Sequence, residues 1–280
     1  MNINIFIRKK SSLHQNSVER YAEILKYGLN KKDFRVNIVE CPLVSEGLFK
    51  RIYLIFWAYF HQGDVNHILG DINFISLLMK KERTINTFLD CRLLDEFKGL
   101  KKIVYKLFWF ILPIKKSNII TFISNFTKKE IEKKLNKKKI NSEIIPVPLF
   151  DNLSFQINKN KKKKVLIVGT LQHKNIKNML LGVIGLDIDL TIVGEMSRYL
   201  KSFCKKNRIS YKNYINISNN KINNLYKHND ILLMASKYEG FGMPIIEAQA
   251  SGMVVITSNK EPMKTVAGKY GVLVDPNKPK

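Results

Sequence analysis

Cysteine is scarce. The 280 residues hold three, Cys41, Cys91 and Cys204, far apart and without a CxxC pair. That excludes a disulfide framework and a structural zinc module, and it fits a reducing compartment. The five histidines, His14, His61, His67, His173 and His228, lack metal-ligand spacing. No apolar run is long enough to span a bilayer. A secretory leader is not expected either, because Arg8, Lys9 and Lys10 follow the first apolar stretch instead of preceding it. The expected location is therefore cytoplasmic. There is no Walker A run, and Gly240-Phe-Gly242 lacks the third glycine of a dinucleotide fingerprint. Arginine is sparse, at eight of the 48 basic residues. Sequence-specific nucleic-acid readers rely on Arg for bidentate base contacts, so a basic nucleic-acid-binding protein is the weaker rival class and no nucleic-acid partner is expected.

What is present is lysine, apolar residues and a large positive charge. The formal net charge is +25, with 45% hydrophobic residues and 16 Phe. Such a chain can bury real cores, and its length suits two compact α/β domains. Lys, Asn and Ile share A/T-rich codons, so genome composition supplies part of the charge. The remainder predicts a surface that attracts phosphates or anionic lipid.

Strand-like runs alternate with helical patterns along the chain. Strands are expected at Ile3–Ile7, Val36–Val39, Val65–Leu69, Thr84–Leu89, Ile119–Ile123 and Ile144–Ile145. An amphipathic helix should start at Ser17, and Thr127-Lys-Lys-Glu130 reads as a capping box opening another. Residues 151–164, polar and ending in Lys161-Lys-Lys-Lys164, read as a linker between a domain of residues 1–150 and one of 165–280. After it the alternation restarts, with strands at Val165–Val168, Leu190–Val193, Tyr214–Ile217, Ile231–Met234 and Val254–Thr257 and a helix at Asn175–Ile184. The fold class is therefore α/β, with two Rossmann-like domains built on parallel sheets and facing a central cleft. Ligands of such sheets bind outside the carboxyl ends of the strands.

One segment concentrates chemistry. Residues 235–252 read as a strand end, a glycine-rich turn and a short helix with Pro244 at its start and Gly252 past its end. Gly240 and Gly242 let the backbone approach a ligand, and the helix start offers N–H groups for phosphate. Glu239 and Glu247 flank that site. Carboxylates are poor phosphate ligands and good acceptors for sugar hydroxyls.

These residues resemble the Glu-x7-Glu signature of retaining glycosyltransferases of the GT-B fold, family 4. Gly240, Phe241, Gly242, Met243 and Pro244 agree inside the run, and Val255-Ile-Thr-Ser258 and residues 267–276 agree after it. The loop Val168, Gly169, Thr170, Leu171, Gln172, His173, Lys174, Asn175 is similar to the one after the first strand of that family's nucleotide-sugar domain. The resemblance is tight from Val165 to Pro276 and looser before.

The resemblance implies transfer of a sugar from a nucleotide-diphosphate donor to an acceptor hydroxyl with retention, in bacterial surface polysaccharide or lipopolysaccharide synthesis. Glu239 and Lys174 would be the catalytic residues. Gly169, Thr170, Lys174, Asn175, Gly240, Phe241, Gly242, Met243, Pro244 and Glu247 would bind the donor, with Glu247 on the ribose and Glu239 on the sugar. Lys174 and the N–H groups near Gly242 would carry the diphosphate charge, so no metal cofactor is expected. The family's usual diphosphate Arg has no counterpart; Thr170 and His173 stand in the candidate places. On the acceptor side Asp90 fits the family's His-Asp pair, while Leu89 takes the His place. The Ile7–Asn16 loop lies on the same expected acceptor side. The acceptor would be a glycan or a lipid-linked molecule. Family members continue past the point corresponding to Lys280, so the resemblance also implies a chain lacking the usual C-terminal end. The alternative is a truncated, catalytically silent nucleotide-sugar-binding protein.

Three further features remain. Asp187-Ile-Asp189 is formally a DxD metal motif, but it reads as a polar turn. Ile123-Ser-Asn-Phe126 resembles the strand-to-helix turn of the family's first domain, and a local helix cap accounts for it equally well. Residues 54–60 and 104–112 are aromatic-rich, and residues 101–150 carry twelve Lys and three Glu. Such a segment suits either a core-packed helix or a helix on an anionic membrane, with Trp109 at the interface. The second reading makes the protein peripheral at the inner face of the cytoplasmic membrane.

Overall fold

The computed structural model describes residues 1–9, 17–149, 153–157 and 161–279. The chain divides into two compact units, Met1–Pro148 and Leu149–Lys280. Residues 10–16 of the expected acceptor-side loop, His14 among them, lie outside the described residues, as do 151–152 and 158–160 of the expected linker.

The N-terminal unit is a six-stranded parallel sheet of β1 (Asn2–Ile7), β2 (Arg35–Glu40), β3 (Val65–Leu69), β4 (Thr84–Phe88), β5 (Ile119–Phe122) and β6 (Glu143–Ile144). The order is β2-β1-β3-β4-β5-β6. Its helices are α1 (Ser17–Asn30), α2 (Leu48–Phe60), α3 (Leu93–Glu96), α4 (Gly99–Lys106), α5 (Leu112–Lys115) and α6 (Asn125–Leu135). Covered on both faces, the strands read as apolar runs; Ile5, Phe6, Ile68, Leu69, Phe88 and Phe122 are at most 1% exposed. Between α4 and α5, residues Leu107–Ile111 form a π-helical turn. Pro113 follows and has no N–H to give to a preceding carbonyl, and a wider turn absorbs that break.

One expectation needs correction here, and one open alternative is decided. The cap of α6 is Ser124, whose side chain accepts from Thr127 N–H, so the helix opens before the Thr127–Glu130 box. Ser124 directly follows the sheet, where a capping oxygen serves the first free N–H groups. Trp109 does not face an interface: it is 7% exposed, and its indole N–H donates to Asp71 O at 2.7 Å. The aromatic segment is instead split, with Trp109 and Phe110 turned into the core and Val104, Leu107 and Phe108 left outward.

The C-terminal unit repeats the architecture with β7 (Lys163–Val168), β8 (Ile188–Val193), β9 (Tyr211–Tyr214), β10 (Ile231–Met234), β11 (Val254–Ser258) and β12 (Val272–Val274), all parallel. The helices are α7 (Ile176–Gly182), α8 (Arg198–Lys206), α9 (Asn219–His228), α10 (Met243–Ala250) and α11 (Met263–Ala267). The strand order is β12-β11-β10-β7-β8-β9, which reverses direction between β7 and β10. Such a switch point opens a crevice between the loops that follow the two central strands.

Several boundaries differ from expectation: β7 starts at Lys163, within the stretch read as linker, and β8 at Ile188. The third strand of this unit is Tyr211–Tyr214, not Tyr214–Ile217, because Asn216 is left-handed (φ 56°) and Ser218 already caps α9. Helix α7 starts at Ile176, since Asn175 is also left-handed (φ 63°) and its side chain is engaged elsewhere. Within the polar connecting stretch, Gln156 N–H donates to Ser251 O at 3.2 Å, so residues 153–157 lie against the end of α10. Lys162 reaches both Asp187 (2.7 Å) and Asp189 (3.4 Å), which accounts for the DxD pair without a metal.

Candidate functional site

The loop after β7 and the loop after β10 meet at the switch point. Gly169 opens the first with φ 87°, and a Cβ there would stand 3.1 Å from Lys174 Cε. Glycine thus lets the Lys174 stem fold across the start of its own loop. Thr170 is likewise fitted to a glycine: a Cβ on Gly194 would meet its Oγ1 at 2.7 Å. Residues 172–174 make a single 3-10 turn, and Asn175 closes it. The Asn175 amide donates to Ala235 O at 2.9 Å and Pro276 O at 2.7 Å, tying the loop to the end of β10 and to the chain after β12. Asn178 donates to Pro276 O as well. The backbone adds Lys237 N–H to His173 O at 2.8 Å.

At the centre, Lys174 Nζ lies 2.8 Å from Glu239 Oε1, with the side chains 15% and 11% exposed. The pair joins the two loops. Low local dielectric makes each charge worth more than on an open surface. Gly240, Phe241 and Gly242 continue from Glu239, and Gly242 caps α10 in the left-handed region (φ 103°), a conformation that disfavours any Cβ. Met243 and Pro244 are the first two helical residues, so the N–H groups of that turn face the loop side of the sheet.

Glu247 sits deeper, at 3% exposure. Its Oε2 accepts from the Tyr226 hydroxyl at 2.7 Å, and Tyr226 on α9 is fully buried. Tyr226 is the contact the sequence reading missed, because nothing in a single chain signals that α9 packs a phenol against α10. Ser236 Oγ, at 0% exposure, makes no hydrogen bond among the described residues. Asp90 belongs to the other unit, at the end of β4, where its Oδ1 accepts from Arg92 N–H at 3.0 Å. Among the described residues no group of three His, Cys, Asp or Glu stands close enough to hold a metal ion.

The structure thus brings Gly169, Thr170, Lys174, Asn175, Glu239 and Gly240 to one crevice edge. It seats Gly242, Met243 and Pro244 at the adjoining helix start and holds Glu247 from beneath.

Residues 150–280 match the glycosyl transferases group 1 family. That match covers the unit bearing both loops. Among curated proteins, the O-antigen chain mannosyltransferase B of Escherichia coli is 42% identical over 53 residues, which are 19% of this chain and 14% of that one. Among solved structures, a sucrose-phosphate synthase from Thermosynechococcus elongatus aligns with a TM-score of 0.80 at 13% identity, over 99% of this chain and 86% of that one. The Anabaena protein HepE, in complex with UDP and glucose, aligns with a TM-score of 0.75 at 12% identity, over 100% and 87%. These likenesses establish the two-domain GT-B type α/β fold across both units.

Proposed function

We propose that this chain is a retaining glycosyltransferase that moves a sugar from a nucleotide-diphosphate donor to an acceptor hydroxyl. The observation that carries the reading is the Lys174–Glu239 pair at the switch point, within the region that matches glycosyl transferases group 1. The C-terminal unit binds the donor and the N-terminal unit takes the acceptor, with Asp90 on the acceptor side.

Lys174 supplies the positive charge for the diphosphate, helped by the N–H groups of Gly242 and Met243. Preorganised charge placed where negative charge develops is the largest single contribution such a site can make. Glu239 accepts from hydroxyls of the donor sugar, and its ion pair with Lys174 opens as the diphosphate takes the ammonium. Glu247, oriented by Tyr226, accepts from the ribose. Because Lys174 carries the leaving charge, the reaction runs without a bound metal. The O-antigen relative supports a setting in surface polysaccharide or lipopolysaccharide synthesis; a place at the cytoplasmic face of the membrane belongs to the same proposal.

The test is release of nucleoside diphosphate from a panel of UDP-, GDP- and ADP-sugars, the sugar passing to water or to an added glycan or lipid acceptor, with and without EDTA. Release from one donor, unchanged by EDTA and lost in Lys174→Met, supports the reading. No release from any donor by folded protein contradicts it.

A further inference from the structure

The N-terminal unit has its own cavity, of about 500 Å³. Ser45 follows β2, Asp71 follows β3 and Leu93 follows β4, so the cavity lies at the carboxyl edge of the sheet, where parallel sheets hold ligands. Its wall is apolar: Leu93, Leu100, Val104, Tyr105 and Trp109. A sugar buried against that wall would leave hydroxyls without partners, which disfavours it. The Tyr105 hydroxyl does not serve as a base, because burial, then Asp90 and Asp71, push its pKa upward, with Arg51 opposing.

The rim is cationic. Arg51 stacks on Trp109, with Cζ 4.8 Å from the ring centroid, and Lys101 Nζ stands 4.1 Å over Phe97. The one lining carboxylate, Asp71, has Arg8 at 3.8 Å. Outside the rim the surface stays apolar: Leu100 is 74% exposed, Ile103 63% and, at the start of α2, Phe49 86%. Lys98, Lys102 and Lys106 lie on or beside α4. An apolar chain with an anionic head matches both features; neither a free glycan nor a neutral lipid does.

We propose that this cavity binds an anionic lipid that carries the acceptor hydroxyl, its chain along Leu93, Leu100, Val104 and Trp109 and its phosphate between Arg51 and Lys101. The word acceptor rests on the glycosyltransferase reading; the binding of the lipid does not.

The probe is geranylgeranyl phosphate below its micellar concentration, followed by tryptophan fluorescence. Geranylgeraniol, inorganic phosphate and phosphatidylglycerol vesicles serve as the other arms. We expect saturable binding of the prenyl phosphate, about tenfold or more weaker for the alcohol and for inorganic phosphate, as loss of one charged contact or of the chain requires. Val104→Glu, at a half-exposed position, should keep the melting temperature and weaken binding at least about tenfold; Lys101→Glu should do the same. Prenyl phosphate binding equal in wild type and both variants overturns the assignment. So does binding to vesicles alone, which would make this a general membrane face. If prenyl phosphate fails while a nucleotide still stabilises the protein, the lipid site falls and the donor reading stands. If both fail, both fall.

Discussion

Lys174 and Glu239 face each other at 2.8 Å across the switch point of the C-terminal sheet, one from the loop after β7 and one from the loop after β10. The strands fix the loops, the glycines give the lysine its path, and the ion pair holds both ends together.

Because the two charges have separate proposed partners, their substitutions should part. Glu239→Gln should leave binding of the bare nucleoside diphosphate intact and lower sugar transfer about 10- to 100-fold, as loss of one hydrogen bond to a charged group predicts. Lys174→Met should weaken the nucleotide itself and cut turnover about 10²- to 10³-fold. Calorimetric titration with the nucleotide and its sugar conjugate separates the two. Equal losses for both ligands in Glu239→Gln would contradict the assignment.

Gly169→Ala tests the path of the lysine. The new Cβ meets Lys174 Cε at 3.1 Å, and φ 87° disfavours any L side chain. Destabilisation of about 1–2 kcal/mol is expected, together with weaker nucleotide binding. Gly185→Ala is the control, since its φ is also positive but a Cβ there meets nothing within 4 Å. It should cost stability without changing affinity, as read by urea unfolding and titration side by side.

Tyr226→Phe should destabilise the C-terminal unit by about 1–3 kcal/mol, because it strips a hydrogen bond from the buried Glu247 carboxylate. If Tyr226 orients that carboxylate for ribose, affinity for the nucleoside diphosphate should drop as well. The base-and-ribose-free pyrophosphate should bind unchanged.

The N-terminal unit carries an acid-sensitive element on β3. His67 on β3 contacts Thr87 Oγ1 at 2.6 Å, and burial lowers its pKa from 6.5 to about 4. Between those values the unfolded ring binds a proton and the folded ring does not, so acidification favours unfolding. Stability should fall as pH drops from about 6.5 towards 4, by at most about 1.4 kcal/mol per pH unit. Denaturant melts of wild type and His67→Gln across that range read it directly, and the variant should lose this part of the slope.

Much of the architecture was legible because strands buried on both faces appear as short apolar runs. Ile231–Met234 and Val65–Leu69 coincide with expectation to the residue. Where the signal was local hydrogen bonding, reading failed: Ser124 rather than Thr127 caps α6, and left-handed Asn216 ends β9 before Ile215 can extend it. The two loops of the candidate site stood out through their glycines and carboxylates. The Tyr226–Glu247 contact and the apolar cavity did not, since each is assembled from elements distant in sequence whose side chains carry no shared pattern. For Trp109 the sequence left core and interface open, and the π turn that contains it places it in the core.

The most direct measurement is the thermal shift of the whole chain with UDP, GDP, ADP and their sugar conjugates, in wild type and Lys174→Met. A ligand at a hundred times its dissociation constant stabilises by about 2.7 kcal/mol, enough to move the midpoint by several degrees. The account predicts such a shift with one nucleotide family, sharply reduced in the variant. A shift of the same size in Lys174→Met, or none with any nucleotide from well-folded protein, would contradict a diphosphate site at the switch point.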